Sequence, residues 1–230
     1  MRRYQAYLFD LDGTLVDTAP DIMQALNRAL DAFGYPLVDE ALTRHWVGHG
    51  ARTLIERAMI HHGKPHLDEA RLSAMVTRFV DHYHAHIADQ STIYPGVIQA
   101  LEVLLDPGGR KNPGTGVPGA GVMAAVVTNK AGRLVHALLG KIGLACYFDA
   151  VVCGDTLSNP KPAADPALHA CELLEVSVTD TLFVGDSITD VQCARAAGCD
   201  VVVLRDGYNH GTPPEALGAD RVIDSLMELV

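Results

Sequence analysis

With 230 residues, 48% of them hydrophobic, the chain can form one domain with an insertion or two small domains, around a sizeable core. The formal net charge of −10 argues against duplex nucleic acid or an anionic membrane as partner, since both call for basic surface. No apolar run approaches the roughly 18 residues of a membrane-spanning helix. Asp10 and Asp12 interrupt any signal-peptide core. The five cysteines are an odd number without a Cys-x-x-Cys pair, so reduced thiols in a cytoplasmic protein are expected, not a disulfide framework or zinc site.

Ala6 to Phe9 predicts a buried strand that ends on two carboxylates, Asp10 and Asp12, followed by Gly13 and Thr14. Burying an unpaired carboxylate costs several kcal/mol, so a cation and a transferable anion are expected beside them. Residues 20–89 read as helical. Pro20 suits a first helical turn, Ile22, Met23, Leu26, Ala29, Leu30 and Phe33 follow at helical spacing, and Gly34 ends the run. A short helix over Glu40–His45 is predicted next. Another carries Leu54, Ile55, Ala58 and Met59, and a last one runs from Asp68 through Leu72, Met75, Phe79, Tyr83 and Ile87.

After Tyr94-Pro95-Gly96, short apolar runs alternate with helical patterns: Ala124–Val127, Ala150–Cys153, Leu182–Val184, Val201–Leu204 and Arg221–Ile223. Strands with almost no polar residue belong to a parallel sheet covered on both faces, and strand–helix alternation means an α/β fold. The expected division is an α/β core of residues 1–16 and 92–230, a Rossmann-like parallel sheet, with a helical segment 17–91 inserted. Residues 106–121, rich in Gly and Pro, are expected to form a long surface loop.

Ligands of open α/β sheets bind at the carboxyl ends of the strands, and there the polar residues gather. Asp10 and Asp12 follow the first strand, and Thr128, Asn129 and Lys130 the second. Asn159-Pro160-Lys161-Pro162 follows the third, and Gly185-Asp186-Ser187 with Asp190 the fourth. Asp10 and Asp186 offer hard oxygen ligands for Mg²⁺. Thr128 and nearby backbone N–H groups can hold phosphoryl oxygens, and Lys161 adds positive charge. With charge offset in this way, Asp10 can attack phosphorus while Asp12 serves as general acid and then base.

In this order the four motifs resemble those of the haloacid dehalogenase superfamily of phosphohydrolases: Asp10-Leu11-Asp12-Gly13-Thr14, Val127-Thr128-Asn129, Lys161-Pro162 and Gly185-Asp186-Ser187-Ile188-Thr189-Asp190. The resemblance implies Asp10 as nucleophile and Asp12 as acid/base. It implies Mg²⁺ held by the Asp10 side chain, the Asp12 carbonyl and Asp186. Thr128, Asn129 and Lys161 would bind phosphate, with Gly13 and Asp190 in support. The helical insert is similar to the C1-type cap of that superfamily, which closes over the site. Trp46-Val47-Gly48-His49-Gly50-Ala51 and Gly207-Tyr208-Asn209-His210-Gly211 most resemble the phosphoglycolate phosphatases, which implies a small phosphomonoester as substrate.

Bland readings compete at several positions. Ser187 to Asp190 is also a helix capping box, and Lys161 sits between prolines in what could be a solvated loop. Asp165-Pro166 reads as an N-cap and first-turn pair. His82 and His86 share a helix face, more simply solvated than metal-binding. Thr18, His49, Gly50 and Arg52 are candidate substrate contacts, with Arg52 or the N–H groups near Gly50 expected to read a substrate carboxylate. Within the superfamily, a dehalogenase is disfavoured because Asp12 is present, and a phosphonate hydrolase because the only lysine of the insert, Lys64, sits in a loop. A sugar-phosphate phosphatase, a phosphomutase or a pyrophosphatase shares the core. A phosphoacceptor signalling domain also uses Asp, Thr, Lys and Mg²⁺, but needs neither Asp12 nor the insert.

Overall fold

The computed structural model describes residues 3–64, 66–105 and 121–230. The loop expected over 106–121 lies, except for Gly121, outside the described residues. Along the chain, β1 (Ala6–Phe9) leads into β2 (Val16–Asp17), then α1 (Ala19–Ala32), α2 (Glu40–Trp46), α3 (Gly50–His61) and α4 (Glu69–Ala85). After β3 (Thr92–Ile93) and α5 (Val97–Leu105) come β4 (Met123–Val127), α6 (Gly132–Lys141), β5 (Ala150–Val152) and α7 (Asp165–Leu173). The chain continues with β6 (Thr181–Gly185), α8 (Ile188–Ala197), β7 (Asp200–Leu204) and β8 (Arg221–Ile223).

Six strands form one parallel sheet in the order β5-β4-β1-β6-β7-β8. Successive side chains of a strand point to opposite faces. Tyr7, Phe9, Ala124, Val126, Leu182 and Val184 therefore enter one apolar cluster, while Ala6, Leu8, Ala125, Val127 and Phe183 enter a second across the sheet. With both faces covered, a strand gains nothing from polar alternation, which is why these segments are apolar throughout. β1 lies at the centre, so its C-terminal end opens into the middle of the sheet edge.

α1 packs on α4, and α3 also packs on α4. Ala25, Leu26, Ala29 and Leu30 of α1 and Leu72, Met75, Phe79 and Tyr83 of α4 are buried, as the helical spacing predicts. Full burial of each large side chain is worth about 1.5–3 kcal/mol. Gly34 takes φ +77° just beyond α1, a left-handed stop that suits glycine.

Three local features differ from the sequence reading. β2 and β3 pair antiparallel, Val16 with Ile93 and Asp17 with Thr92, tying together the two ends of the helical segment. Two-residue strands carry no periodicity, so nothing announced them. α4 stops at Ala85, and Ile87 is buried beyond its end. Asp165 is the first residue of α7 and not its cap, which is Ala164.

Candidate active site

The strand ends deliver the expected residues to one place. Asp10 continues the ladder from β1 through its N–H to the Val184 carbonyl (2.9 Å), and Thr128 continues from β4 to the Val152 carbonyl (2.9 Å). Asp186 follows β6 directly, and Lys161 arrives on the loop after β5. Gly13 turns the chain away from Asp10 at φ +90°, and a Cβ there would overlap the Asp186 carboxylate, so only glycine fits.

Asp10, Asp186 and Asp190 each bring a carboxylate oxygen within 4.8 Å of the others. Lys161 is the ammonium among them, 2.9 Å from Asp10 Oδ1 and 2.6 Å from Asp190 Oδ1. If all are ionised, negative charge exceeds positive by two in a buried space, which is costly without a cation. Burial pushes Asp10 up to about 6, against the pull of Lys161. Burial and the neighbouring carboxylates Asp190 and Asp10 raise Asp186 well above the usual range. Burial acts the same way on Asp190, but Lys161 and the Ser187 hydrogen bonds outweigh it and hold this carboxyl low.

Asp190 is thereby committed. Oδ2 accepts the Ser187 hydroxyl (2.7 Å) and the Ser187 N–H (3.0 Å), while Oδ1 accepts Lys161. Capping and lysine support coexist in one side chain. Asp186 takes the Thr14 hydroxyl on Oδ1 (2.9 Å) and the Tyr208 N–H on Oδ2. Asp10 Oδ1 is buried, and its one close partner among the described residues is the Lys161 ammonium at 2.9 Å. Two buried carboxyls pushed upward, with one lysine between three carboxylates, are a donor set suited to a hard divalent cation.

Asp12 is held apart from this cluster. Its Oδ1 accepts the Thr18 hydroxyl (2.7 Å), and Lys130 Nζ lies 2.8 Å from Oδ1 and 3.0 Å from Oδ2. Lys130 also donates to the Tyr83 hydroxyl of α4 (2.8 Å). Burial disfavours this ammonium, yet Asp12 and Tyr83 more than compensate, and its proton is held above the usual lysine range. Burial drives the Tyr83 hydroxyl up to about 12.

These groups open into a cleft of about 200 Å³. Its floor has Asp10, Asp12, Thr128 and Lys130, and its wall Ile22, Val47, Leu54, Phe79 and Tyr83. The volume is below the roughly 300–1,000 Å³ of sites for drug-sized ligands. The Thr128 hydroxyl accepts the Lys130 N–H at 3.3 Å and finds no acceptor for its own proton among the described residues.

Three candidates stand differently from expectation. Asn129 lines the cleft, but its Nδ2 donates to the Gly48 and Lys161 carbonyls, both at 3.0 Å. With both amide protons spent, its side chain ties the insert to the lysine loop and has none left for phosphate. Arg52 points away from the cleft: half exposed, it forks onto Glu69 at 2.7 Å and also pairs with Glu56. His49 caps α3 but turns towards His210, their rings 5.0 Å apart, while Gly50 reaches the cleft. The sequence places Lys130 among the strand-end polar residues without a role of its own, and does not single out Tyr83 for the site. The place of Lys130, two residues after Thr128 at a strand end, is the signal for its role, whereas Tyr83 is masked by the apolar stripe of α4.

Known proteins resemble this chain along its length. A family model described as haloacid dehalogenase-like hydrolase matches residues 7–204. A phosphoglycolate phosphatase of Nitrosococcus oceani is 36% identical over all of this chain and 96% of its own. A plasmid-borne phosphoglycolate phosphatase of Cupriavidus necator is 39% identical over 97% of this chain and 90% of its own. The crystal structure of a predicted phosphoglycolate phosphatase from Haemophilus somnus 129pt superimposes with a TM-score of 0.87 at 31% identity, covering 100% and 97% of the two chains. With its strand-end carboxylates, its buried lysine and these full-length likenesses, the chain belongs to the haloacid dehalogenase-like hydrolase family and is a phosphatase.

Proposed function

We propose that this phosphatase is Mg²⁺-dependent and hydrolyses a small phosphomonoester, 2-phosphoglycolate, through an aspartyl-phosphate on Asp10. The carrying observation is the separation of two adjacent carboxylates into different environments. Asp10 faces Lys161 and a carboxylate cluster, while Asp12 faces Thr18 and Lys130.

Asp10 and Asp186, with the Asp12 carbonyl, would hold the metal, which supplies charge neutralisation for the phosphoryl group. The Asp10 carboxylate bonds to phosphorus as the ester P–O bond breaks, and Asp12 gives its proton to the departing oxygen. Asp12 then takes a proton from the water that attacks phosphorus, breaking the bond to Asp10 and releasing phosphate. Lys161 offsets charge on the phosphoryl oxygens, Thr128 donates its free hydroxyl proton to them, and Asp190 holds the lysine in place.

Residues 17–91 serve as a cap, contributing the apolar wall that keeps water from the reacting atoms. The mostly apolar wall supports a small ester over a sugar phosphate, whose hydroxyls would be left without partners. Small size and the names of the full-length relatives support 2-phosphoglycolate.

A phosphate-release assay across 2-phosphoglycolate, hexose phosphates and pyrophosphate, with Mg²⁺ and with chelator, tests this. Metal-dependent release is expected, fastest from 2-phosphoglycolate. Fast release from a hexose phosphate with none from 2-phosphoglycolate would reject the substrate. Activity undiminished by chelator would reject the metal.

A further inference from the structure

With Arg52 turned to the surface, the cleft needs another group to recognise an acidic substrate. Among the described residues that line it, Lys130 alone is cationic. We propose that Lys130, steadied by the Tyr83 hydroxyl, binds the substrate's carboxylate and sets the preference for phosphate esters with an acidic tail. The inference rests on the proposed substrate and deepens it.

Chain length in the substrate fits this placement. In 2-phosphoglycolate one methylene separates the carboxylate from the ester oxygen, which is the atom Asp12 must protonate. A cation meant for that carboxylate therefore has to stand next to Asp12, and Lys130 Nζ lies 2.8 Å and 3.0 Å from its two oxygens. The donors are sufficient. An ammonium has three, and here two go to one carboxylate and the third to Tyr83. Asp12 keeps the Thr18 hydroxyl and one lysine proton when the other turns to the substrate.

Surroundings strengthen the contact. The lysine side chain is 4% exposed, and Phe79, Leu54, Ile22 and Leu134 line the same cleft. Charge attraction there is screened far less than in water. Tyr83 sits on α4, and Lys130 lies 4.5 Å from its ring centre, so the helical insert takes part in aiming the charge. An acidic ester thus gains a charged partner, whereas a neutral one leaves the ammonium wholly on Asp12 and Tyr83.

The test compares kcat/KM for 2-phosphoglycolate and for 2-hydroxyethyl phosphate, the ester in which a hydroxymethyl group replaces the carboxylate. Wild type is expected to favour the acid. Lys130→Met should erase about 100-fold or more of that preference, Lys130→Arg should keep part of it, and Tyr83→Phe should lose up to about tenfold. If Lys130→Met slows both esters equally, the lysine serves Asp12 alone and the inference falls while the proposed function stands. A wild-type enzyme indifferent to the carboxylate would instead remove the proposed substrate, and the inference with it. Should Lys130→Met fail to fold, wild-type product inhibition decides. Glycolate should compete at least about tenfold better than ethylene glycol, and equal competition overturns the inference.

Discussion

The floor and the wall of the cleft are built on opposite terms. In and beneath the floor, the carboxyl ends of the strands crowd Asp10, Asp12, Asp186, Asp190, Lys130 and Lys161 into buried positions whose polar atoms are largely committed to partners. The wall, from α1, α3 and α4, is apolar side chains and one tyrosine hydroxyl. A parallel sheet can carry such charge density because its strand ends are the one place where buried backbone stops pairing and side chains of distant segments meet. The helices have no such edge and contribute shape and exclusion of water. On the proposed reading the floor carries the chemistry and the charge that selects, while the wall gives shape, and the two are joined by the β2–β3 ribbon and by the hydrogen bonds of Tyr83 and Asn129.

That contrast breaks first at Asp10. Asp10→Asn removes the proposed nucleophile, and kcat is expected to fall by roughly 10⁴-fold or more; a variant within tenfold of wild type would place the chemistry elsewhere. Asp12→Asn should cost about 10²–10⁴-fold in kcat. The loss should be smaller for an aryl phosphate, whose leaving group needs no proton, than for an alkyl one; equal losses would deny Asp12 the role of acid.

The wall should respond in stability. Met75→Ala empties a fully buried position of α4 and should lower unfolding free energy by about 2–5 kcal/mol in denaturant titration. A change under 0.5 kcal/mol would mean the insert does not pack as described.

A weaker test lies where insert and core touch at His49 and His210. Burial lowers both, His49 to about 4, with Arg57 adding repulsion for His49. A histidine depressed in the folded state takes up its proton more readily when unfolded. Stability from this pair is therefore present above the ordinary value of 6.5 and is lost as pH falls from there to about 4. Melting temperatures should drop across that window, and His49→Gln should flatten the slope; an unchanged slope refutes it. Smallest of all, Arg52→Ala should leave the denaturant midpoint nearly unchanged and the preference for an acidic ester intact, because its exposed pairs with Glu56 and Glu69 are screened. Loss of that preference would return Arg52 to the site.

Most of the floor was legible in the sequence, because a carboxylate directly after an apolar run has few structural uses, and four such ends coincide in an α/β fold. Less of the wall was. Tyr83 falls at the spacing of Leu72, Met75 and Phe79, so only its depth in the fold tells that its hydroxyl meets Lys130. Arg52 was misread from its closeness to Gly50, although the i,i+4 pair with Glu56 was already in the sequence and predicts an outward face. Asn129 had the right position, but its partners, the carbonyls of Gly48 and Lys161, are remote in sequence and invisible to any local pattern.

The most direct test of the account is a rapid acid quench of wild-type enzyme during turnover of 2-phosphoglycolate with Mg²⁺, followed by peptide mass spectrometry. A phosphoryl group on the peptide bearing Asp10, absent from Asp10→Asn and from chelator-treated enzyme, is the predicted result. A phosphoryl group on any other residue, or turnover by an Asp10→Asn protein at the wild-type rate, would contradict it.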